Sequence, residues 1–228
     1  MNRLRNNDIL AALSEKEYER FTSCLEPVQL SLDEILIESN QEVTALYFPT
    51  EGMVSLISIM LDGSTTEIGL IGTEGMVGTM PFLGAGKSNS QSIVQAAGWA
   101  MKIELKNLKR EYNQSKKVRQ LILSYALELY NQVSQCAACN NHHTVKQRTA
   151  RWLLMLDDRS EQGALLMTQQ LLSKMLGVRR TGVTQIAKDI QRQGIIDYRR
   201  GKIEILDRQR LEEIACECYK IITNNSYV

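Results

Sequence analysis

Two groups of residues in this 228-residue chain carry side chains with the right types and spacing for chemistry. The first lies in LLSKMLGVRRTGVTQIAKDIQRQGII, residues 171–196. An arginine guanidinium is a planar fork of donors that fits guanine O6 and N7, and a glutamine amide fits adenine N6 and N7. Arg180, Thr181 and Gln185 are therefore candidates for reading base edges. Thr168, Arg179, Thr184, Lys188 and Arg192 suit phosphate oxygens, contacts that position a protein without specifying sequence. The second group is Cys136-x2-Cys139 followed by His142 and His143. Thiolate and imidazole are zinc ligands, and C-x-x-C is an ordinary ligand spacing. Here all four fall on one predicted helix, whereas a closed tetrahedral site usually draws on separated segments. Packing by small residues is thus the default, metal or thiol sensing by Cys136, Cys139, His142 and His143 the weaker alternative, and a contact from the Cys216–Cys218 tail stays open.

The first group needs a scaffold, and the flanking sequence supplies one. Thr168 is placed to cap a helix whose Leu171, Leu172, Met175 and Leu176 face inward, and Gly177 supplies a turn. A second helix beginning at Arg179 or Arg180 and running to about 193 buries Val183, Ile186, Ala187 and Ile190, leaving Arg180, Thr181, Thr184, Gln185 and Lys188 outward. Two short crossed helices around a glycine turn are a helix-turn-helix, whose second helix fits a major groove about 12 Å wide. Gly194 ends it, and IIDYRRGKIEIL reads as two short strands around Arg199, Arg200 and Lys202, a basic wing suited to phosphate or minor-groove contact. Upstream, Thr144 is a plausible cap for a helix carrying Trp152. Downstream, Asp207 is positioned to cap DRQRLEEIACECYKII, read as one closing helix.

Charge separates this region from the rest. Residues 1–108 hold 7 Lys and Arg against 14 Asp and Glu, whereas residues 144–204 hold 12 against 6, so a formal +1 conceals surfaces suited to different partners. After a short helical start capped by Ser14, with Pro27 expected to end it, residues to about 104 form apolar runs between turn formers: VQL, EILI, ALYFPTEG, MVSLISIMLDG, TTEIGLIGTEG, MVGTMPFLGAG and SIVQAAGWAMKIEL. That texture predicts an antiparallel barrel or sandwich with Asp62-Gly63 at one tight turn. GLIGTEGMVG lacks the phosphate-loop lysine and the dinucleotide-fold context, so its glycines read as turns and bulges.

Asn113 or Ser115 opens a longer helix. On it Val118, Ile122, Tyr125, Leu129, Gln132, Cys136, Cys139 and His143 recur at spacings of four and three, the period of a side packed on another helix. A helix of about 27 residues spans roughly 40 Å, enough to join two domains while its stripe, Val118 to Cys139, pairs with the same stripe of a second subunit. The expected division is 1–112, 113–143 and 144–228, an α+β chain with an antiparallel β domain, a dimerisation helix and a winged helix-turn-helix. No run of 18 apolar residues or signal-like opening occurs, which favours a cytoplasmic protein not held in a membrane. The cysteines, odd in number at five, are expected to be reduced. No Ser-His-Asp or separated ligand pattern suggests an enzyme.

With these elements in place, the sequence resembles the CRP/FNR family of bacterial transcription regulators over nearly all its length, most specifically in MTQQLLSKMLGVRRTGVTQIAKDIQRQGIIDYRRGKI. CNNHHTVKQRTARWLL resembles a branch of that family without an assigned effector. The resemblance implies an amino-terminal cyclic-nucleotide-binding-like β-roll, a homodimer on double-stranded DNA, and RNA polymerase as a further contact. It puts Arg180 on the family's base-reading arginine, with Thr181 where Glu is common, Gln185 where a second Arg is common, and Gly182 for a frequent Thr. In the β-roll, Gly78 and Thr79 stand where cyclic-AMP binders have Gly-Glu, and Ser90 and Gln91 where they have Arg-Ser. Lys87 is the nearby cation, so these five mark the effector pocket, if one is used, while a cyclic nucleotide is disfavoured and no cofactor is predicted. An iron–sulfur ligand set is not matched either, because the amino-terminal region holds only Cys24. The alternative reading is a β-roll ligand-binding module whose winged domain binds protein.

Overall fold

A computed structural model describes residues 3–84, 86–160 and 165–224. The described residues divide into two compact units, one within 3–58 and 69–130, the other within 59–68 and 131–224.

In the first unit, helices α1 (Asp8–Ala11) and α2 (Glu15–Thr22) precede the strands. Ser14 caps α2 in a reciprocal capping box with Glu17. The helix stops at Thr22, before Pro27, which instead sits in edge strand β1 (Leu25–Leu30), where a missing N–H is tolerated. Strands β2 (Ile35–Ile37), β3 (Ala45–Ile59), β4 (Thr65–Ile71) and β5 (Gln91–Glu104) complete an antiparallel sheet of order β1-β5-β3-β4, with β2 also on β5. The expected break between ALYFPTEG and MVSLISI is absent. One 15-residue strand runs through it, with register shifts between Pro49 and Val54 absorbing the Gly52 kink at φ +87°. MVGTMPFLGAG is not a strand either: it holds the short helix α3 (Thr79–Leu83), entered from Gly78 at φ +96°. Inward residues such as Leu30, Leu46, Phe48, Leu70, Met76, Val94 and Ile103 form the core, and Phe21 meets Phe48 edge to face. The buried Asn7 satisfies its amide by donating to Pro49 O at 3.0 Å and Gly75 O at 2.8 Å.

Helix α4 (Leu105–Gln114) leads to α5 (Lys116–His142), 27 residues long, with the Ser115 hydroxyl accepting from Val118 N at 3.1 Å. The stripe expected to face a second subunit is turned inward instead. Val118, Ile122, Tyr125, Leu129, Gln132, Cys136 and Cys139 are all buried within the chain, none exposed by more than 7%. A β carbon at Gly75 would lie 2.1 Å from the Tyr125 hydroxyl, so Tyr125 fills a space only glycine leaves. The exposed large apolar residues on α5 are Leu123, Leu127 and Tyr130, again spaced four and three.

In the second unit, Thr144 and Gln147 form a capping box for α6 (Val145–Asp157), whose residues Arg148 to Leu156 are buried around Trp152. Short strand β6 (Leu165–Leu166), helices α7 (Gln169–Leu176) and α8 (Arg180–Arg192), and hairpin β7 (Ile196–Arg199) and β8 (Lys202–Ile205) follow, with sheet order β6-β8-β7. The closing helix is in fact two, α9 (Arg208–Ile214) and α10 (Cys218–Thr223). Ala215 takes extended dihedrals, φ −64° and ψ 152°, and breaks it. Arg208 fastens α9 to the end of α6 through Asp157 and Asp158, and the Tyr219 hydroxyl donates to Asp158 at 2.9 Å. Burial and the Asp158 carboxylate push the Tyr219 phenol up to about 12. No helix among the described residues is long and apolar enough to cross a membrane.

Candidate nucleic-acid interface

The geometry of the reading helix starts at its turn. Thr168 caps α7 by accepting from Leu171 N at 3.1 Å, and α7 ends at Gly177 with φ +62°. A side chain at Gly177 would suffer the left-handed backbone and approach Thr66 Oγ1 to 2.4 Å. Gly177→Ala should cost about 1–2 kcal/mol, read as a lower thermal unfolding midpoint.

Beyond the turn, Val183, Ala187 and Ile190 anchor α8, while Ile186 is only half-buried and shares that task less than its spacing suggested. Arg179, Arg180, Thr181, Gln185, Lys188 and Arg192 are all exposed. Arg179 stands at the N-cap without a side-chain cap bond, and the Gly182 N–H of the first turn donates to Arg179 O at 3.0 Å. Thr184 differs. Its hydroxyl lies 2.7 Å from Gln169 Oε1 and 2.9 Å from Arg180 O, so it ties α8 to α7 instead of standing free for a phosphate. On the flank, Lys146 pairs with Asp189 at 2.6 Å and, chiefly by that hydrogen bond, holds its carboxyl below the usual range.

The wing is a tight hairpin in which Arg199 pairs with Lys202 across Arg200 and Gly201, at φ +50° and +76°. Two consecutive positive φ values are the backbone of a type I′ turn, which favours Asn-Gly. Met167 N donates to Gly201 O at 2.7 Å and the Tyr198 hydroxyl to Met167 O at 2.8 Å, bolting the wing to the strand before α7. Arg199, Arg200 and Lys202 are exposed, with Arg199 also paired to Asp197 at 2.9 Å. Arginine in a left-handed turn is a local conflict that a phosphate contact would account for. Arg200→Asn is expected to stabilise the protein by up to about 1 kcal/mol while lowering the salt slope of DNA binding by about 1. Thermal unfolding and a salt-dependent DNA titration measure the two effects separately.

The other expected sites fare unequally. In the β-roll, Gly78 and Thr79 are buried, and Thr79 Oγ1 donates to Met76 O at 2.6 Å. A β carbon at Gly78 would meet the apolar Leu46 and Ile37 side chains at 3.2 and 3.3 Å. Lys87 is exposed and Ser90 half-buried. Gln91 Nε2 donates to Glu38 Oε2 at 2.9 Å. Ser90, where the resemblance puts the phosphate-binding arginine, brings no cation, and the adjacent Gln91 is held by a carboxylate, so these two residues give a cyclic phosphate no positive partner. The Cys136-Cys139-His142-His143 set is not brought together as such. His142 is exposed, and Cys136 Sγ accepts from Arg151 at 3.5 Å. Cys139 and His143 meet Cys216 and Cys218 instead.

A winged helix-turn-helix with a basic outward face defines a DNA-binding transcription regulator. Comparison with known proteins agrees: residues 147–214 match the Crp-like helix-turn-helix domain and residues 27–115 the cyclic nucleotide-binding domain. The two matches together take in well over half of the chain, which belongs to the CRP/FNR family. No curated protein matches it significantly. Among solved structures it is similar to FixK2 from Bradyrhizobium japonicum, with 17% identity, 84% of this chain and 98% of that one covered, and TM-score 0.72. A crp/fnr-family regulator from Eubacterium rectale gives 17% identity, 92% and 98% coverage, and TM-score 0.73. The c-di-GMP responsive regulator CLP from Xanthomonas campestris gives 17%, 84% and 99%, and 0.69. At such identity the likeness concerns the fold alone.

Proposed function

We propose that the protein is a homodimeric, sequence-specific regulator that reads the major groove with α8. The observation that carries this reading is the division of α8 into an anchored side, Val183, Ala187 and Ile190, and an exposed side bearing Arg180, Thr181, Gln185 and Lys188. Base reading falls to Arg180, Thr181 and Gln185, and phosphate contact to Thr168, Arg179, Lys188, Arg192, Arg199, Arg200 and Lys202. Thr184 contributes by fixing the angle of α8 against α7.

Dimerisation falls to Leu123, Leu127 and Tyr130, because a buried stripe has no surface left to give to a second copy. Two copies of α8 held on one two-fold axis would address half-sites about 34 Å apart. The β-roll would then support the dimer or take an effector other than a cyclic nucleotide. Selection from a genomic DNA library at fixed salt is expected to enrich one pseudo-palindromic site. Uniform affinity for all fragments would defeat the reading. Leu127→Glu should halve the mass in sedimentation and weaken binding to the full site far more than to a half-site.

A further inference from the structure

We propose that Cys139, His143, Cys216 and Cys218 form a Cys3His site for one zinc-class divalent ion, tying the end of α5 to the carboxy-terminal segment. The four ligand atoms all lie within 4.8 Å of one another. Cys139 Sγ is 3.5 Å from Cys216 Sγ, and Cys218 Sγ is 3.6 Å from His143 Nδ1. A tetrahedron with metal–sulfur bonds of about 2.3 Å has edges of roughly 3.8 Å, and shorter ones toward nitrogen. The spacing thus suits a single ion, whereas the thiolates of an iron–sulfur cluster bind separate irons.

Backbone geometry builds the site from separated segments. Cys139 and His143 are four apart on α5 and so share a face, while the extended Ala215 interrupts the closing helix and turns Cys216 and Cys218 toward them. The three cysteines are buried, and the His143 side chain is 16% exposed.

The surroundings match those of metal ligands. His143 turns Nδ1 to the sulfurs and places Nε2 3.1 Å from a Glu217 carboxylate oxygen, the arrangement that fixes a ligating imidazole's tautomer and raises its basicity. Gln135 Nε2 donates to Cys218 Sγ at 3.0 Å. Three thiolates and a neutral imidazole around a divalent ion leave a net charge of about −1 to be offset inside the protein. Arg151 is there. It is 5% exposed, its hydrogen bonds go to sulfur at Cys136 and Met155, and its Nε has no partner among the described residues. Arg151 also faces the Glu67 carboxylate and the Cys136, Cys139 and Cys216 sulfurs, so its positive charge would help offset a metal–thiolate centre there. With four protein ligands and no open position, the site is structural.

The test uses the full chain, reduced and stripped with a strong chelator, then titrated with cobalt(II) as the probe. Uptake of one ion per chain with the intense visible band of tetrahedral cobalt thiolate, displaced by zinc, is the expected result. Re-addition of zinc should raise the melting temperature. Cys218→Ser should abolish the band and Cys24→Ser should leave it. Glu217→Ala, which removes the carboxylate facing His143 Nε2, should weaken cobalt binding about tenfold while keeping the tetrahedral thiolate band. Five freely titrating thiols with no cobalt uptake would overturn the proposal, as would a Cys139–Cys216 disulfide in protein made under reducing conditions, or a band that survives Cys218→Ser.

Discussion

Trp152→Ala is expected to destabilise the DNA-binding unit by about 3–5 kcal/mol, the range for removing a fully buried tryptophan. Trp152 is 1% exposed and is among the largest side chains fully enclosed in the chain. It lies in the middle of α6, where every residue from Arg148 to Leu156 is buried, so neighbouring side chains cannot collapse into the cavity without moving the helix. Its indole Nε1 also donates to Glu67 Oε1 at 2.6 Å, and truncation removes that donor from a carboxylate. Trp152→Phe separates the two contributions: most of the volume stays and the hydrogen bond goes, for about 1–2 kcal/mol. Thermal unfolding followed by tryptophan-independent circular dichroism orders the variants as parent, Phe, Ala. An Ala variant within about 1 kcal/mol of the parent would mean that α6 is not the core element of its unit.

Arg180→Ala is expected to remove about 1–3 kcal/mol of discrimination at one base-pair position in each half-site, roughly a five- to 150-fold loss of preference there. The exposed Arg180 is a complete fork near the start of α8, where recognition helices approach bases. Arg192→Ala provides the contrast. At the last turn of α8 it should weaken all sequences alike and reduce the salt slope by about 1, leaving the preferred site unchanged. Parallel selections with the two variants read both effects, and an Arg180→Ala selection returning the parental site with undiminished preference would strip Arg180 of its role.

The winged domain was legible in the sequence because its signals are local. Thr144 with Gln147, Thr168 with Leu171 N and Asp207 with Arg210 N are bonds across three residues, so residue type and spacing suffice to expect them. Asp62-Gly63 and Arg200-Gly201 announce turns for the same reason, through backbone conformations few residues accept. MVGTMPFLGAG was less legible, since a short apolar run with glycines fits a strand as well as the single turn of helix α3 that it forms.

The sequence by itself determined α6, α7, α8, the β7–β8 hairpin and which side of α8 is apolar, because hydrogen-bond caps and side-chain periodicity are properties of neighbouring residues, whereas β6 and the break at Ala215 were not legible in it. Tertiary structure alone decided what each buried stripe is buried against. The period on α5 says that Val118 to Cys139 lie on one hidden side, but not that the chain itself covers it and leaves Leu123, Leu127 and Tyr130 outside. It also decided that Cys139 meets Cys216, 77 positions along the chain, since that encounter depends on one extended residue at Ala215 and on how α9 docks on α6. Packing of distant segments is set by the shape of the whole core, and no local pattern encodes it.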